Sequence, residues 1–351
     1  MHSILDALPQ SSPQGGLSAS ADLPVPRSDS VRGWILGPWL DLLLVSNLFW
    51  PLLILLQHDD GFSGGMNIQF WQIYFITTPH RWSTLALVIV DRQQFRERPR
   101  FFIGFALFVI LVCVGVRLGT GTLTCLLAID YIWNAWHFAA QHHGIYRIYG
   151  RLSGASSRFP ASVEKWILRS YMLYCILRVA QVAIEPGLTT DLLMIVDWIA
   201  PVLPGVILAS ELLQINRRSI GRVVYLASVL CLFTAMLWSV QAGNPALLLA
   251  LATASAWFHA SEYLAVVGWR LKKQNRLGER QANRTVLAWI ASRWAISLMI
   301  FIVLLGSCGW MLEQRFLEFW LLINVIAAFL HYGYDGVLWR KRSSSVPKPV
   351  C

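Results

Sequence analysis

Charged residues are scarce in this chain of 351 residues, at 14% of the sequence, whereas hydrophobic residues make up 56%. A soluble domain carries about 25% charged residues, so this composition excludes an ordinary water-soluble globular protein. The mean hydropathy of +0.52 points the same way. An apolar run needs roughly 20 residues to cross a bilayer as a helix, and the chain has room for about ten such runs.

Paired cysteines are also absent from the sequence. The six cysteines are scattered singly, without a Cys-x-x-Cys pair, which excludes a zinc ribbon and a disulfide framework. Residues 1–32 lack any long apolar run and are rich in Ser, Pro and Gly, so we predict a disordered N-terminal tail. This tail has neither the basic start nor the apolar core of a secretory signal.

Ten apolar runs follow the tail, and we interpret each as a membrane span. Numbered in order, the spans are 34–57, 69–90, 101–117, 122–146, 163–184, 191–213, 222–240, 245–268, 286–306 and 316–339. Span 6 is expected to break at Pro201 and Pro204. The prediction is an all-α fold, a polytopic integral membrane helix bundle over residues 33–340, followed by a basic C-terminal tail at 341–351.

Lysine and arginine residues occur mainly in alternate loops. They follow spans 2, 4, 6, 8 and 10, whereas the opposite loops are nearly free of them apart from Arg117 and Arg315. Cytoplasmic loops carry the basic excess, so the pattern predicts a multi-pass protein of the cytoplasmic membrane with both termini in the cytosol. The net charge of +10 is then a topology signal. We expect membrane lipids around the chain and no nucleic-acid binding.

Histidines on four even-numbered spans lie at one depth. These spans all run from the outer face to the cytosol. The number of residues between each histidine and the first basic residue of the following loop therefore measures the depth of that histidine in the membrane. This number is 9 to 12 for all four histidines, which is roughly 14–18 Å at 1.5 Å per residue. Side chains at one depth on separate helices can meet, so we predict that one metal ion is bound by His80, His137, His259 and His331.

Polar side chains recur on the helices that carry these histidines. A carboxylate one turn away can accept the second N–H of a ligand histidine and fix its tautomer, and Asp335 stands one turn after His331. We predict that five polar residues orient ligands or position substrate: Glu262, Asp335, Tyr263, Gln141 and Asn134. His142 lies about 140° from the face of His137 and is predicted as a weaker fifth ligand.

The ligand type leaves several metals open, because imidazole suits iron, zinc, copper and nickel. Haem is also open, although it needs only two axial histidines. Neutral imidazoles with free coordination positions in an apolar environment favour non-haem Fe(II) that handles O2 and an apolar substrate from the bilayer. Nearby tryptophans can line a pocket for that substrate or mark the membrane interface: Trp71, Trp82, Trp133, Trp136 and Trp257.

The sequence resembles a known family in four short stretches. These are Pro79-His80, His137-Phe138, Phe258-His259-Ala260-Ser261 and His331-x-x-x-Asp335-x-x-x-Trp339-Arg340. Their order and spacing are similar to the histidine motifs of the Brp/Blh family of membrane β-carotene 15,15′-dioxygenases, which make retinal. The resemblance implies an iron(II) site with the four histidines as ligands. Where the family has Gly-Asp, a second histidine and an acidic residue, this chain has Arg81-Trp82, Tyr263 and Gln141.

The resulting prediction is a membrane-embedded non-haem iron oxygenase or dioxygenase that acts on a carotenoid-like polyene or another lipid. One alternative is a haem-binding electron-transfer protein. The other is a proton- or ion-coupled transporter, whose path would use charges within the membrane: Asp41, Asp130, Arg178, Asp197, Glu262, Arg293 and Asp335. A pair of Asp41 with Arg293 is an equally good structural interpretation. The pattern indicates no particular oligomeric state.

Overall fold

The computed structural model describes residues 33–58, 75, 77–90, 92–154, 157–185, 190–216, 219–276 and 293–339. Every regular element in these ranges is a helix, so the predicted all-α class is confirmed for this part of the chain. The predicted tails, 1–32 and 341–351, lie outside the described ranges.

The first helices are α1 (Pro38–Leu40), continued by a π-helical turn (Asp41–Val45), then α2 (Trp50–His58), α3 (Thr78–Val90), α4 (Arg92–Glu97), α5 (Pro99–Thr120) and α6 (Thr124–Ser153). They are followed by α7 (Ala161–Ile184), α8 (Asp191–Ile199), α9 (Val202–Leu212), α10 (Ile220–Gln241), α11 (Pro245–Arg276) and α12 (Trp294–Leu338). The break between α8 and α9 falls at Pro201, as predicted, because proline cannot donate a helical hydrogen bond. The predicted break at Pro204 is wrong, since this residue lies in the first turn of α9, where a helix tolerates proline.

Within the described ranges, six helical segments are long and apolar enough to cross a membrane. They are Pro38–Leu55, Pro99–Thr120, Ala161–Ile184, Asp191–Leu212, Ile220–Gln241 and Trp294–Leu338. This supports a membrane protein, while the number of ten spans and the cytosolic termini stay predictions. The helices α3, α6 and α11 are not among the six, and all three carry polar residues of the histidine cluster described below.

Three predicted boundaries are wrong. Helix α11 continues past the predicted end of span 8 at 268 to Arg276. Residues 307–315, predicted as a loop, are helical, and α12 consists of two helices that meet at a kink at Phe316 (φ −138°, ψ 50°), which is the predicted start of span 10. The segment Trp310–Arg315 holds neither proline nor glycine, so nothing in it stops the helix. Helix α6 continues past the predicted end at 146 to Ser153, and Gly154 ends it in the left-handed conformation at φ 64°. Arg147 and Arg151 therefore lie on the helix rather than in a loop.

The bundle has two main apolar cores. One lies among α6, α7, α10 and α11 and includes Tyr149, Met172 and Phe233. The other lies mainly among α5, α6 and α12 and includes Phe102 and Phe329. Between them α3 packs on α11 and α12, and α6 packs on the same two helices. Each of these four helices carries one histidine of the predicted set, so the packing closes a circle around the site.

Candidate metal centre

The four predicted ligand histidines lie in one closed ring. The ring centroid of His80 is 5.0 Å from that of His259 and 5.2 Å from that of His331. The centroid of His137 is 5.2 Å from that of His259 and 4.6 Å from that of His331. Each histidine on α3 or α6 thus lies beside both histidines on α11 and α12. Imidazoles from four helices thus lie side by side, and the donor atoms fall into two overlapping groups that share His331.

These histidines are buried without the usual polar partners. His259 and His331 have no exposed surface, and His80 is 3% exposed. Within the described part of the chain, neither ring nitrogen of His259 has a hydrogen-bond partner, and Nε2 of His80 has none. A buried polar group left unpaired costs about 1–3 kcal/mol. A cation would satisfy one nitrogen of each ring, because the neutral imidazole is the metal-binding form.

The distances between the donor atoms fit a cation. One nitrogen from each of His80, His259 and His331 lies within 4.8 Å of the others, and His137, His331 and Asp335 form a second such group. The Nε2 atoms of His331 and His137 are 3.0 Å apart. With metal–nitrogen bonds of about 2.1 Å, two ligand nitrogens on one ion lie about 3.0–3.4 Å apart. The residues present therefore suit a metal ion with imidazole ligands.

A hydroxyl on α3 connects His331 with Asp335. Oγ1 of Thr84 lies 2.6 Å from Nδ1 of His331 and donates to Oδ1 of Asp335 at 3.2 Å. Nδ1 of His331 must then donate to Thr84, which leaves the lone pair of His331 on Nε2, facing His137. The predicted direct contact is wrong in detail, since the nearest Asp335 oxygen is 3.9 Å from Nδ1. Tyr263 joins this group by donating to Asp335 at 2.7 Å and contacting Thr84.

Glu262 belongs to a neighbouring group rather than to His259 directly. Its carboxylate accepts hydrogen bonds from Gln141 Nε2 and Tyr225 Oη, each at 2.8 Å, and lies 3.0 Å from Nδ1 of His142. The same Gln141 amide donates to the backbone carbonyl of His259 at 2.9 Å. Glu262 therefore holds the Gln141 side chain and the His142 ring in place. It is connected with His259 through these two residues, of which Gln141 donates to the His259 backbone carbonyl.

His142 is completely enclosed despite its offset from the face of His137. It is 2% exposed, and its ring centroid is 6.1 Å from that of His259. Helix α10 covers this side of α6, so two faces of α6 point into the bundle. The Nε2 atom of His142 has no partner among the described residues, and the group His142, His259 and Glu262 also has donor atoms within 4.8 Å.

Asn134 lies outside the histidine ring and contacts a tyrosine that lies beside His137. The hydroxyl of Tyr332 contacts Oδ1 of Asn134 at 3.0 Å and Oδ1 of Asp130 at 2.8 Å. The ring of Tyr332 is 5.0 Å from that of His137. Arg81 Nη1 lies 3.5 Å from Asp130. The polar residues of α6 are thus divided between two groups. Asp130 and Asn134 contact Tyr332, whereas His137 belongs to the histidine ring.

Three contacting residues were not found from the sequence. Thr84 stands four residues after His80, one helical turn away, and this spacing was the available signal. Phe138 covers His259 by stacking, with ring centroids 3.7 Å apart. Tyr225 lies on α10, which carries no histidine, so no local pattern connects it with the site.

Charged groups proposed for a transport path are paired locally. Arg178 donates to Asp197 at 3.1 Å, and both side chains are nearly completely buried. Asp41 accepts from the backbone amides of Ile35 at 2.7 Å and Leu36 at 2.8 Å. These are separate structural contacts at different places in the bundle, with partners already on the same or neighbouring helices.

A cavity of about 540 Å³ opens beside the histidine ring. Its lining residues include His137, Tyr263 and Asp335 as well as Trp133 and Trp136. Of the other predicted pocket tryptophans, Trp82 donates to Asn324 and Trp257 packs on Phe49, and neither lines this cavity. Trp71 lies outside the described residues. Of the four histidines only His137 lines the cavity, so a small molecule in it would meet the histidine ring at His137.

No protein-family model, curated protein or solved structure matches the chain. The chemistry of the site therefore follows from its own residues. Buried imidazole nitrogens can bind a transition metal, a carboxylate can fix the tautomer of one ligand through a hydroxyl, and the cavity can hold an organic molecule beside them.

Proposed function

We propose that this protein is a membrane metalloenzyme, a non-haem iron(II) dioxygenase that acts on an unsaturated lipid-soluble substrate. The observation that carries the proposal is the ring of four imidazoles, of which His137 also forms part of the cavity wall. His80, His137, His259 and His331 would hold the metal. The resemblance of the histidine motifs to carotenoid-cleaving dioxygenases favours the same chemistry.

When bound, iron(II) would supply the binding and activation of O2. The reaction that needs no further electron donor is oxidative cleavage of a carbon–carbon double bond. The double bond breaks, each carbon takes one oxygen atom, and two carbonyl groups form. The four electrons that reduce O2 come from the two carbons, so atoms and electrons balance.

The chain's own residues would position the ligands and keep water away. Asp335 and Thr84 hold the proton of His331 on Nδ1, so that Nε2 remains a ligand atom. Phe138 covers one face of His259 and excludes water from it. Tyr263 lines the cavity, and its hydroxyl donates to Asp335, so it would hold that carboxylate in place beside His331.

Two observations favour this proposal over its alternatives. A haem plane between two of the rings would collide with the other two histidines, because neighbouring ring centroids are 4.6–5.2 Å apart. A carrier would spread its ionisable groups along the membrane normal, whereas Arg178, Asp197 and Asp41 are occupied in local contacts.

The test uses protein purified in detergent, loaded with iron(II) without air and then mixed with isotope-labelled O2. β-Carotene and an unsaturated fatty acid serve as separate substrates. We expect carbonyl products that contain both labelled atoms, and no reaction by His137→Ala. Arg158→Ala is the matched control, because Arg158 is exposed and does not line the cavity.

Two results of this experiment would contradict the dioxygenase proposal. If the iron-loaded wild type consumes no O2 with either substrate, the dioxygenase proposal is wrong. If only one labelled atom enters the product, the enzyme is a monooxygenase that needs an external reductant.

A further inference from the structure

The cavity beside the histidine ring is lined by two chemically different groups of residues. One group includes His137 and Asp335, and the other consists of three arginines: Arg147 and Arg151, which follow His137 by 10 and 14 residues on α6, and Arg169 on α7. Asp335 is the single carboxylate among the lining residues, and it is already bound by Tyr263. The three arginines therefore carry a cationic surplus that no lining carboxylate balances.

Arg169 is held in place at the wall of the cavity. The central carbon of its guanidinium group lies over the Trp136 ring, 5.5 Å from the ring centroid. Its Nε is buried and has no hydrogen-bond partner among the described residues. Stacking on an aromatic ring fixes the plane of a guanidinium group and leaves its edge free to bind an anion. The buried, unpaired Nε indicates that a partner for Arg169 is missing.

Arg147 shares its carboxylate partner with a second arginine. Its Nη1 lies 3.6 Å from Glu164, while Arg222 lies 3.4 Å from the same side chain and also contacts Glu211 at 2.8 Å. The Arg147 side chain keeps 41% exposure. Arg151 is exposed one turn further along α6. The positive charge of the three arginines is therefore only partly neutralised by the protein.

We propose that the cavity binds a single-chain amphiphile with an anionic head, either a carboxylate or a phosphate. The head would lie against Arg147, Arg151 and Arg169, and the chain would extend along Trp133 and Trp136 to His137. Arginine is the residue best suited to planar, bidentate recognition of these two anions. As a substrate assignment this rests on the proposed function, but the binding itself requires no metal.

The dimensions of the cavity agree with one chain. Arg147 follows His137 by ten residues on α6, which is about 15 Å at 1.5 Å per residue. The volume of about 540 Å³ lies within the range of about 300–1,000 Å³ typical of small-molecule sites. A molecule bound at the arginines can therefore reach the histidine ring with the middle of an extended chain.

The test measures binding of radiolabelled palmitate to metal-free full-length protein in a neutral detergent. Hexadecanol and hexadecyl phosphate, each with the same chain length, compete against it. We expect palmitate or hexadecyl phosphate to bind at least about tenfold more tightly than hexadecanol, because only they form charge-assisted hydrogen bonds. The tighter of the two anions identifies the head group.

Three variants assign this preference to the cavity. The double variant Arg151→Gln/Arg169→Gln should bind the preferred anion about 10- to 100-fold more weakly and hexadecanol unchanged. Arg151→Lys/Arg169→Lys should recover part of the lost affinity, since the charge returns without the planar fork. Arg158→Gln is the matched control, because it removes one exposed arginine outside the cavity. Thermal unfolding checks that every variant is folded.

The proposal is overturned if hexadecanol binds as tightly as both anions. It is also overturned if Arg158→Gln weakens binding as much as the double variant does, since the arginines would then be general interface charges. These results are independent of the reaction. Anion-selective binding by a protein that never consumes O2 would contradict the dioxygenase proposal alone.

Discussion

Nε2 of His331 lies 3.0 Å from Nε2 of His137, although the two residues belong to different helices and are 194 positions apart. Buried neutral imidazoles make such a contact either by sharing a proton or by facing one cation. A shared proton would satisfy this pair alone. It would leave His80 and His259, which complete the ring, with unpaired nitrogens. A cation would also give His80 and His259 a partner, since each has a donor nitrogen within 4.8 Å of one on His331.

Removal of the Thr84 hydroxyl should weaken metal binding without unfolding the protein. Thr84→Val keeps the size of the side chain but leaves Nδ1 of His331 without its partner. Loss of such an orienting contact typically costs about 10- to 100-fold in metal affinity, which competition with a chelator can measure. The matched control is Ser83→Ala, since the Ser83 hydroxyl donates only to the His80 carbonyl, at 2.7 Å. Equal affinities in the two variants would contradict the assigned role of Thr84.

Gly333 should be sensitive to a single methyl group. A Cβ at this position would lie 2.2 Å and 2.4 Å from two ring atoms of Phe105, so the Phe105 ring, packed between α5 and α12, would have to move. We expect Gly333→Ala to lower the free energy of unfolding by about 1–3 kcal/mol. Because Gly333 lies between His331 and Asp335, metal affinity should fall as well.

The control for that substitution is Gly104→Ala on α5. A Cβ at Gly104 has no neighbour within 4 Å, and alanine favours the helix by up to about 1 kcal/mol. Denaturant titration in detergent, followed by circular dichroism, compares the two variants. A Gly333→Ala protein as stable as Gly104→Ala would show that the helices do not approach so closely.

The histidine ring itself could be predicted from the sequence. Helical rise is constant, so counting residues to the basic loops placed His80, His137, His259 and His331 at one depth before any coordinates were known. The same geometry gave the 140° offset of His142. It did not show that α10 covers this second face, because which helices are neighbours depends on long-range packing.

Contacts between distant helices could not be predicted in the same way. Thr84 and Asp335 meet across a separation of 251 residues, and Tyr225 reaches Glu262 from a helix without any histidine. The continuation of α6 beyond residue 146 was missed because Arg147 and Arg151 were interpreted as loop charges. Basic residues are expected near the cytosolic face whether they lie on a helix end or in a loop, so their presence does not separate the two cases. Only the packing shows that Arg147 and Arg151 line a cavity.

The buried pair of Arg178 and Asp197 should stabilise the fold without affecting the metal. Arg178→Met leaves the Asp197 carboxylate buried without its cation, which costs about 3–5 kcal/mol in comparable cases. Denaturant titration should therefore show a large loss of stability, while metal content stays unchanged under native conditions. A transport path through this pair would instead predict altered ion uptake by vesicles with little loss of stability.

Arg117 and Glu318 provide the matched exposed pair. Glu318 keeps 73% of its side-chain surface exposed, and exposed pairs contribute about 0–1 kcal/mol. Arg117→Met should therefore change the free energy of unfolding by less than about 1 kcal/mol. Similar losses for Arg117→Met and Arg178→Met would contradict the burial assigned to the Arg178 pair.

The most direct test of the central claim is the X-ray absorption spectrum of protein loaded with one equivalent of iron(II). We predict several imidazole ligands on the metal in the wild type and fewer in His259→Ala, whose ring has no other polar partner among the described residues. A spectrum of oxygen ligands without imidazole, unchanged by His259→Ala, would contradict the convergence of these histidines on one cation.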